Sequence, residues 1–269
     1  RSPFTAGQVE DVVLGCASQA GEDSRNVARH AALLSGLPFT TPGQTVNRLC
    51  SSGLAAVLDA ARAVTCGEGE LYIAGGVESM SRAPFVVAKS ESAYGREFKV
   101  FDSAIGARFP NPRITQLYGN DAMPETADNV ARDLDLSRED CDRYAAASQA
   151  RYAAAKASGF FAEEIVPVEV ATGRKTPPRV VGEDEHPRPE TTFESLGGLK
   201  ALYDGGVTTA GNASGVNDGA AVMFVGSRAV GERAGVQPIA RILAGAASGV
   251  EPRVMGLGPA YAIPKALQR

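Results

Sequence analysis

Short apolar runs alternating with helix-patterned stretches dominate the first third of the chain and restrict it to a layered α/β fold. Val9 to Gly15 is a β-branched run closed by glycine, which reads as a buried strand. Asn26 to Leu34 has helical spacing, with Ser24 or Asn26 as N-cap and Gly36 as the stop. Thr45 to Leu49 is a second short strand. Ser51 to Cys66 follows as a strong helix, with Leu54, Val57, Leu58, Ala61 and Val64 on one face and Gly67 past its end. Leu71 to Ala74 is a third strand, running into Gly75-Gly76. Strand, helix and strand in this order predict consecutive β-α-β units.

The character changes near Pro84. Tyr, Phe, Asn, Pro and Arg become frequent, as in Phe109-Pro110-Asn111-Pro112-Arg113, and the stretch reads as a loop-rich insertion. Two helices are predicted inside it, Glu125 to Leu134 and Arg138 to Lys156. Ser137-Arg138-Glu139-Asp140 is an N-cap box that opens the second with acidic residues against the helix dipole. The alternating rhythm resumes at Ala210. A buried strand is predicted at Ala220 to Val225, a helix at Ser227 to Ala234, and a further strand at Ile239 to Leu243. The Gly-rich Met255-Gly256-Leu257-Gly258-Pro259 then leads into a last helix that runs toward Arg269.

Composition removes several function classes. A net charge of −4 with no basic stripe argues against a nucleic-acid partner. No apolar run approaches bilayer-spanning length on this reading, and no signal peptide opens the chain. The four cysteines, at 16, 50, 66 and 141, form no C-x-x-C pair and no zinc-spaced cluster with the two histidines. The expectation is a cytoplasmic protein with free thiols and no metal.

Three segments carry chemistry. Cys50 sits at a strand-to-helix junction in Asn47-Arg48-Leu49-Cys50-Ser51-Ser52-Gly53-Leu54. Free N–H groups and the aligned dipole at a helix start favour an anion, so a thiol placed there is a reactive thiolate. The small residues that follow leave the backbone open to a bulky thioester. The bland reading of a Cys is a buried thiol packing as a small hydrophobe; Cys16, Cys66 and Cys141 lack the context of Cys50 and read as structural. Gly211 to Ala221 is a Gly-rich loop that lets backbone approach a ligand closely, or a tight connection before a strand. Gly75 to Pro84 carries Glu78 at a strand end, either a general base or, as the favoured reading, a structural carboxylate that accepts from backbone N–H groups.

Taken together these segments resemble the thiolase family: Asn47–Leu54 its nucleophile motif, Gly75–Pro84 the segment after it, Gly211–Ala221 its coenzyme A loop, and Met255–Pro259 a further active-site turn. The resemblance implies the layered αβαβα thiolase fold with an inserted loop domain. Residues 1–83 and 217–238 would form the N-terminal α/β half, 84–216 the loop domain over the coenzyme A site, and 239–269 the start of an incomplete C-terminal half. It implies that Cys50 is the acyl-accepting nucleophile. Ser214 and Gly215 match positions that contact the pantetheine arm, and Met123 a residue beside the thioester. Met255 matches a residue lining the acyl pocket. Lys200 falls where many relatives have an Arg near the adenine, and it lacks the planar stacking face of Arg. No separate cofactor is implied, since the coenzyme A thioester is the substrate. Acyl-CoA and coenzyme A would be the partners of a homodimer or homotetramer.

The stretches Gly75–Val86, Met123–Val130 and Gly159–Val168 resemble degradative thiolases that cleave 3-oxoadipyl-CoA, and general acetyl-CoA acetyltransferases share much of the pattern. In the family, a catalytic histidine, a second cysteine and an asparagine motif follow the turn matched by Met255–Pro259. Neither His30 nor His186 matches that histidine. The join between Phe4 and Thr5 also skips a helix that relatives place there, so the sequence reads as a partial record of a longer chain. The competing expectation is a catalytically incomplete thiolase-like protein that binds acyl-CoA or a partner subunit.

Overall fold

The computed structural model describes residues 2–173 and 176–269. Two compact units are formed: Arg1–Asn120 with Val216–Gly249 and Gly258–Arg269, and Asp121–Gly215 with Val250–Leu257.

The first unit is built on four strands: β1 (Asp11–Gly15), β2 (Gly43–Val46), β3 (Leu71–Glu78) and a late strand, Gly219–Gly226. Between them lie helices α1 (Val27–Leu34) and α2 (Ser52–Cys66). Strands β2, β1 and β3 run parallel in that order, and Gly219–Gly226 adds antiparallel to β3. Alternation along β1 sends its side chains to opposite faces. Val12 and Leu14 pack with Ala28 and Ala32 of α1 and with Val230, while Val13 packs with Ala56 and Ala60 of α2, Ala74 and Val225. Helix therefore packs on both faces of β1, whereas Gly219–Gly226 is exposed at every residue but Val225, which corrects the burial expected for this strand from its apolar sequence. Asn26 caps α1 by accepting from the Arg29 N–H at 3.2 Å, and Gly67 ends α2 in the left-handed conformation. Leu49–Cys66 is apolar and long enough to cross a bilayer by length and composition, which corrects the sequence expectation that no run approached this. In the fold, Ser52, Ala56 and Ala60 of this stretch are buried.

The same unit contains a small hairpin, β4 (Phe85–Val87) with β5 (Val100–Asp102), and the helix α3 (Pro112–Tyr118). The second unit begins with α4 (Met123–Asp133) and α5 (Arg138–Ala157). The Ser137 hydroxyl accepts from the Asp140 N–H at 3.1 Å, and the Asp140 carboxylate reaches back to the Ser137 N–H at 3.2 Å, so the foreseen capping box forms. A second hairpin, β6 (Val168–Val170) with β7 (Arg179–Val181), and the short helix α6 (Phe193–Gly197) follow. With these labels the late strand Gly219–Gly226 is β8, followed by α7 (Arg228–Arg233) and α8 (Gly258–Leu267).

The strand expected at Ile239 to Leu243 does not form. Ile239 is fully exposed and Leu243 largely so, and no ladder partner among the described residues satisfies their backbone groups.

Candidate active site

Cys50 is exposed and immediately precedes the N-cap of α2, Ser51. Ala55 is the first residue whose N–H closes a helical bond, to the Ser51 carbonyl at 2.9 Å. The Ser51 and Ser52 N–H groups close the preceding turn onto the Arg48 and Leu49 carbonyls at 3.1 and 2.9 Å, so among the described residues helix geometry leaves the Gly53 and Leu54 amides as the orphan donors at the helix start.

The turn that presents Cys50 is tightly specified. Leu49 adopts a positive φ of 49°, a conformation unfavourable for a branched side chain. Its N–H donates to the Asn47 side-chain oxygen at 2.9 Å. Its carbonyl accepts from the Ser52 hydroxyl at 2.6 Å, and the same hydroxyl accepts from the Arg48 N–H at 2.7 Å. Ser52 is buried, so this hydroxyl is fixed. Its position depends on Gly15: a β-carbon there would lie closer than 3.0 Å to the Ser52 backbone. Glycine at the end of β1 therefore brings the start of α2, and Cys50 with it, down onto the sheet edge.

Glu78, at the end of β3, is the structural carboxylate favoured from sequence. It accepts from the Ala17 N–H at 2.8 Å and the Ser18 N–H at 3.0 Å, with the Cys16 thiol at 3.5 Å. Burial, then the adjacent Glu78 charge, pushes the Cys16 thiol up to about 12, so it is held protonated. The motif's next turn also meets the Gly-rich loop. The Ser81 hydroxyl bonds the Asp218 carboxylate and, second, its N–H donates to the same group at 2.8 Å, together holding the Asp218 carboxyl below its usual range.

In the second unit the coenzyme A candidates lie around one polar network. Asp142, 1% exposed, accepts from Arg138 at 2.7 Å and from the Asn212 amide at 2.9 Å. Arg138 also donates to the Leu196 and Leu199 carbonyls at 2.7 and 3.0 Å. Asn212 accepts from the Thr209 N–H at 2.7 Å and donates to the Val207 carbonyl at 2.9 Å. The network thus fixes the approach to exposed Ser214 and Gly215, and the segment just before exposed Lys200. A second buried acid, Asp128 on α4, accepts from the Val207 and Thr208 N–H groups at 3.0 and 2.9 Å and the Thr208 hydroxyl at 2.7 Å. Met123 opens α4 and is 59% exposed. Met255 lies in a 3₁₀ segment, Pro252–Leu257, fastened to α4 by the Asn129 amide on the Arg253 carbonyl at 3.0 Å. Cys50 belongs to the first unit, and Met123, Lys200, Ser214, Gly215 and Met255 to the second.

The sequence reading missed Asp128, Asp142 and the roles of Asn47 and Ser52. One signal was available: Arg138 and Asp142 are spaced i,i+4 on a helix, a spacing that favours an ion pair.

Residues 1–229 match the family described as thiolase, N-terminal domain. Among curated proteins, the chain is 57% identical over 262 residues to a 3-oxoadipyl-CoA/3-oxo-5,6-dehydrosuberyl-CoA thiolase of Escherichia coli K12, covering 97% of this chain and 65% of that protein. It is 56% identical to a beta-ketoadipyl-CoA thiolase of Pseudomonas putida, with the same coverage. Among solved structures, the Bacillus anthracis acetyl-CoA acetyltransferase superposes with a TM-score of 0.89 at 37% identity, covering 100% of this chain and 66% of that one. Human mitochondrial 3-ketoacyl-CoA thiolase in complex with CoA gives 0.85 at 36% identity, covering 98% of this chain and 65% of that one. The chain belongs to the thiolase family and has its fold, and it spans about 65% of the length of the curated relatives it matches.

Proposed function

We propose that the chain acts as a thiolase-type acyl-CoA acyltransferase in which Cys50 accepts the acyl group. The observation that carries this is the exposed Cys50 thiol at the start of α2, held by the Leu49 turn. In the degradative direction the Cys50 sulfur attacks the 3-oxo carbonyl of a 3-oxoacyl-CoA. The C2–C3 bond breaks, and the electron pair leaves with C2 as the enolate of acetyl-CoA. Protonation at C2 by a general acid completes that product. The thiol of a second coenzyme A then attacks acyl-Cys50, and the sulfur is released.

The substrate class we propose is a 3-oxoacyl-CoA ending in a carboxylate, of the 3-oxoadipyl type. The names of the 53–57% identical relatives support it. Ser214, Gly215 and Lys200 are assigned to the coenzyme A moiety, and Met123 and Met255 to the thioester and acyl group. Residues 1–83 with 217–238 are assigned as the α/β half, 84–216 as the loop domain, and 239–269 as the start of the C-terminal half. Coenzyme A thioesters serve as substrates without a separate cofactor, and the working form is a cytoplasmic homodimer or homotetramer.

The test is incubation with acetyl-CoA, followed by peptide mass spectrometry and measurement of released coenzyme A. Acylation of Cys50, lost in Cys50→Ala, is the expected result. Coenzyme A release that persists in Cys50→Ala would overturn the nucleophile. Tight coenzyme A binding with no acylation would instead make the chain a binding protein.

A further inference from the structure

We propose that Glu78 and Asn47 form a positioning relay that sets the direction of the Cys50 side chain; the proposal rests on Cys50 being the acyl acceptor. Both Glu78 oxygens are engaged by backbone, at Ala17 and Ser18. Ala17 is gripped a second time: its carbonyl accepts from the Asn47 amide at 3.1 Å. The oxygen of that amide accepts from the Leu49 N–H at 2.9 Å. A continuous path of short bonds therefore runs from a carboxylate at the end of β3, across the end of β1, to the residue before the nucleophile.

The path ends where the backbone most needs holding. Leu49 has a positive φ, and such a conformation persists only when its surroundings over-determine it. Ser52 holds the Leu49 carbonyl and Asn47 its N–H. Without the Asn47 bond the turn can relax to negative φ, which redirects the Cys50 Cα–Cβ bond away from the helix start. Among the described residues the Asn47 side chain is exposed and makes only these two bonds, so the link from Ala17 to Leu49 is its evident work. The far end of the path is anchored as well. The Ser18 hydroxyl donates to the Ser103 carbonyl at 3.2 Å and accepts from Arg108 at 2.9 Å.

The experiment measures iodoacetamide alkylation of Cys50 in the full chain at fixed pH. Exposed Cys66, at the far end of α2, is the internal reference. Asn47→Ala and Glu78→Gln are each expected to slow Cys50 relative to Cys66 by about tenfold, and the double variant to be no slower than the slower single. Turnover with acetyl-CoA should fall in step, with KM unchanged, because neither residue is assigned to the substrate. Unchanged Cys50 reactivity in variants with native far-UV circular dichroism would overturn the relay, and so would additive effects. If Asn47→Ala does not fold, Asn47→Asp replaces it. That variant keeps the acceptor for Leu49 but repels the Ala17 carbonyl, so adding Glu78→Gln should change nothing further; a further change would overturn the relay. Should the wild-type chain fail to acylate Cys50, the proposed function fails, while the alkylation series still decides the relay.

Discussion

Gly15 lies against the Ser52 backbone with no room for even one added carbon between them. Gly15→Ala is therefore expected to destabilise the first unit by about 2 kcal/mol or more, because the clash is with backbone that cannot rotate away. Gly7→Ala, where an added carbon would meet nothing within 4 Å, should stay within about 0.5 kcal/mol of wild type. Urea unfolding of the two variants checks this. Equal midpoints would mean that α2 can lift from the sheet without penalty.

The Cys16 thiol gives a pH dependence of definite sign. Its folded-state value, about 12, lies above the ordinary 9.0, so the unfolded chain loses this proton first. The resulting stability is fully present below pH 9 and is lost as the pH rises toward 12. The loss can reach about 1.4 kcal/mol per pH unit within that window. Cys16→Ala should flatten this part of the profile, measured as wild type minus variant to remove other titrating groups. A difference independent of pH would refute it.

Asp128 carries three hydrogen bonds on one oxygen, while its other oxygen is buried with no partner among the described residues. Asp128→Ala would strand the Val207 and Thr208 donors and is expected to cost about 2–4 kcal/mol. Asp128→Asn, which can keep the bonded oxygen, should cost clearly less. Thermal melts of the two variants test the order; both remove the charge, so equal costs would show that the negative charge matters more than the acceptor.

The network around Asp142 connects stability to ligand. Removing its carboxylate leaves Arg138 without its charge partner and frees Asn212 from α5. Asp142→Ala should cost about 3–5 kcal/mol, as expected when one partner of a buried pair is deleted. In the fraction that stays folded, coenzyme A affinity measured by calorimetry should drop several-fold, while alkylation of Cys50 is unchanged. Unaltered affinity would detach Ser214 and Gly215 from coenzyme A.

Periodicity and capping made most regular elements legible, since Asn26, Gly67 and the Ser137 box act locally on adjacent backbone. Glu78 was readable for the same reason: a carboxylate at a strand end meets loose N–H groups. Features set by distant partners were not. The antiparallel direction of β8 depends on its ladder with β3, and the exposure of Ile239 on the lack of any such ladder among the described residues. At the candidate site, Cys50 stood out by its small neighbours. The positive φ of Leu49 did not, because leucine carries no signature of that conformation, although the Asn47 side chain that accepts from its N–H stands only two residues away.

The order of the strands has a consequence for the newly made chain. β3 leaves the ribosome long before β8, by about ten seconds at ordinary elongation rates. During that wait its outer edge is bare, and a bare edge invites pairing with any passing strand. Gly75-Gly76 in its middle is a poor template for such pairing, having no side chains to pack. β8 approaches Gly75 too closely for a β-carbon to fit, so one of the two residues that discourage early partners is also the one that admits the right one.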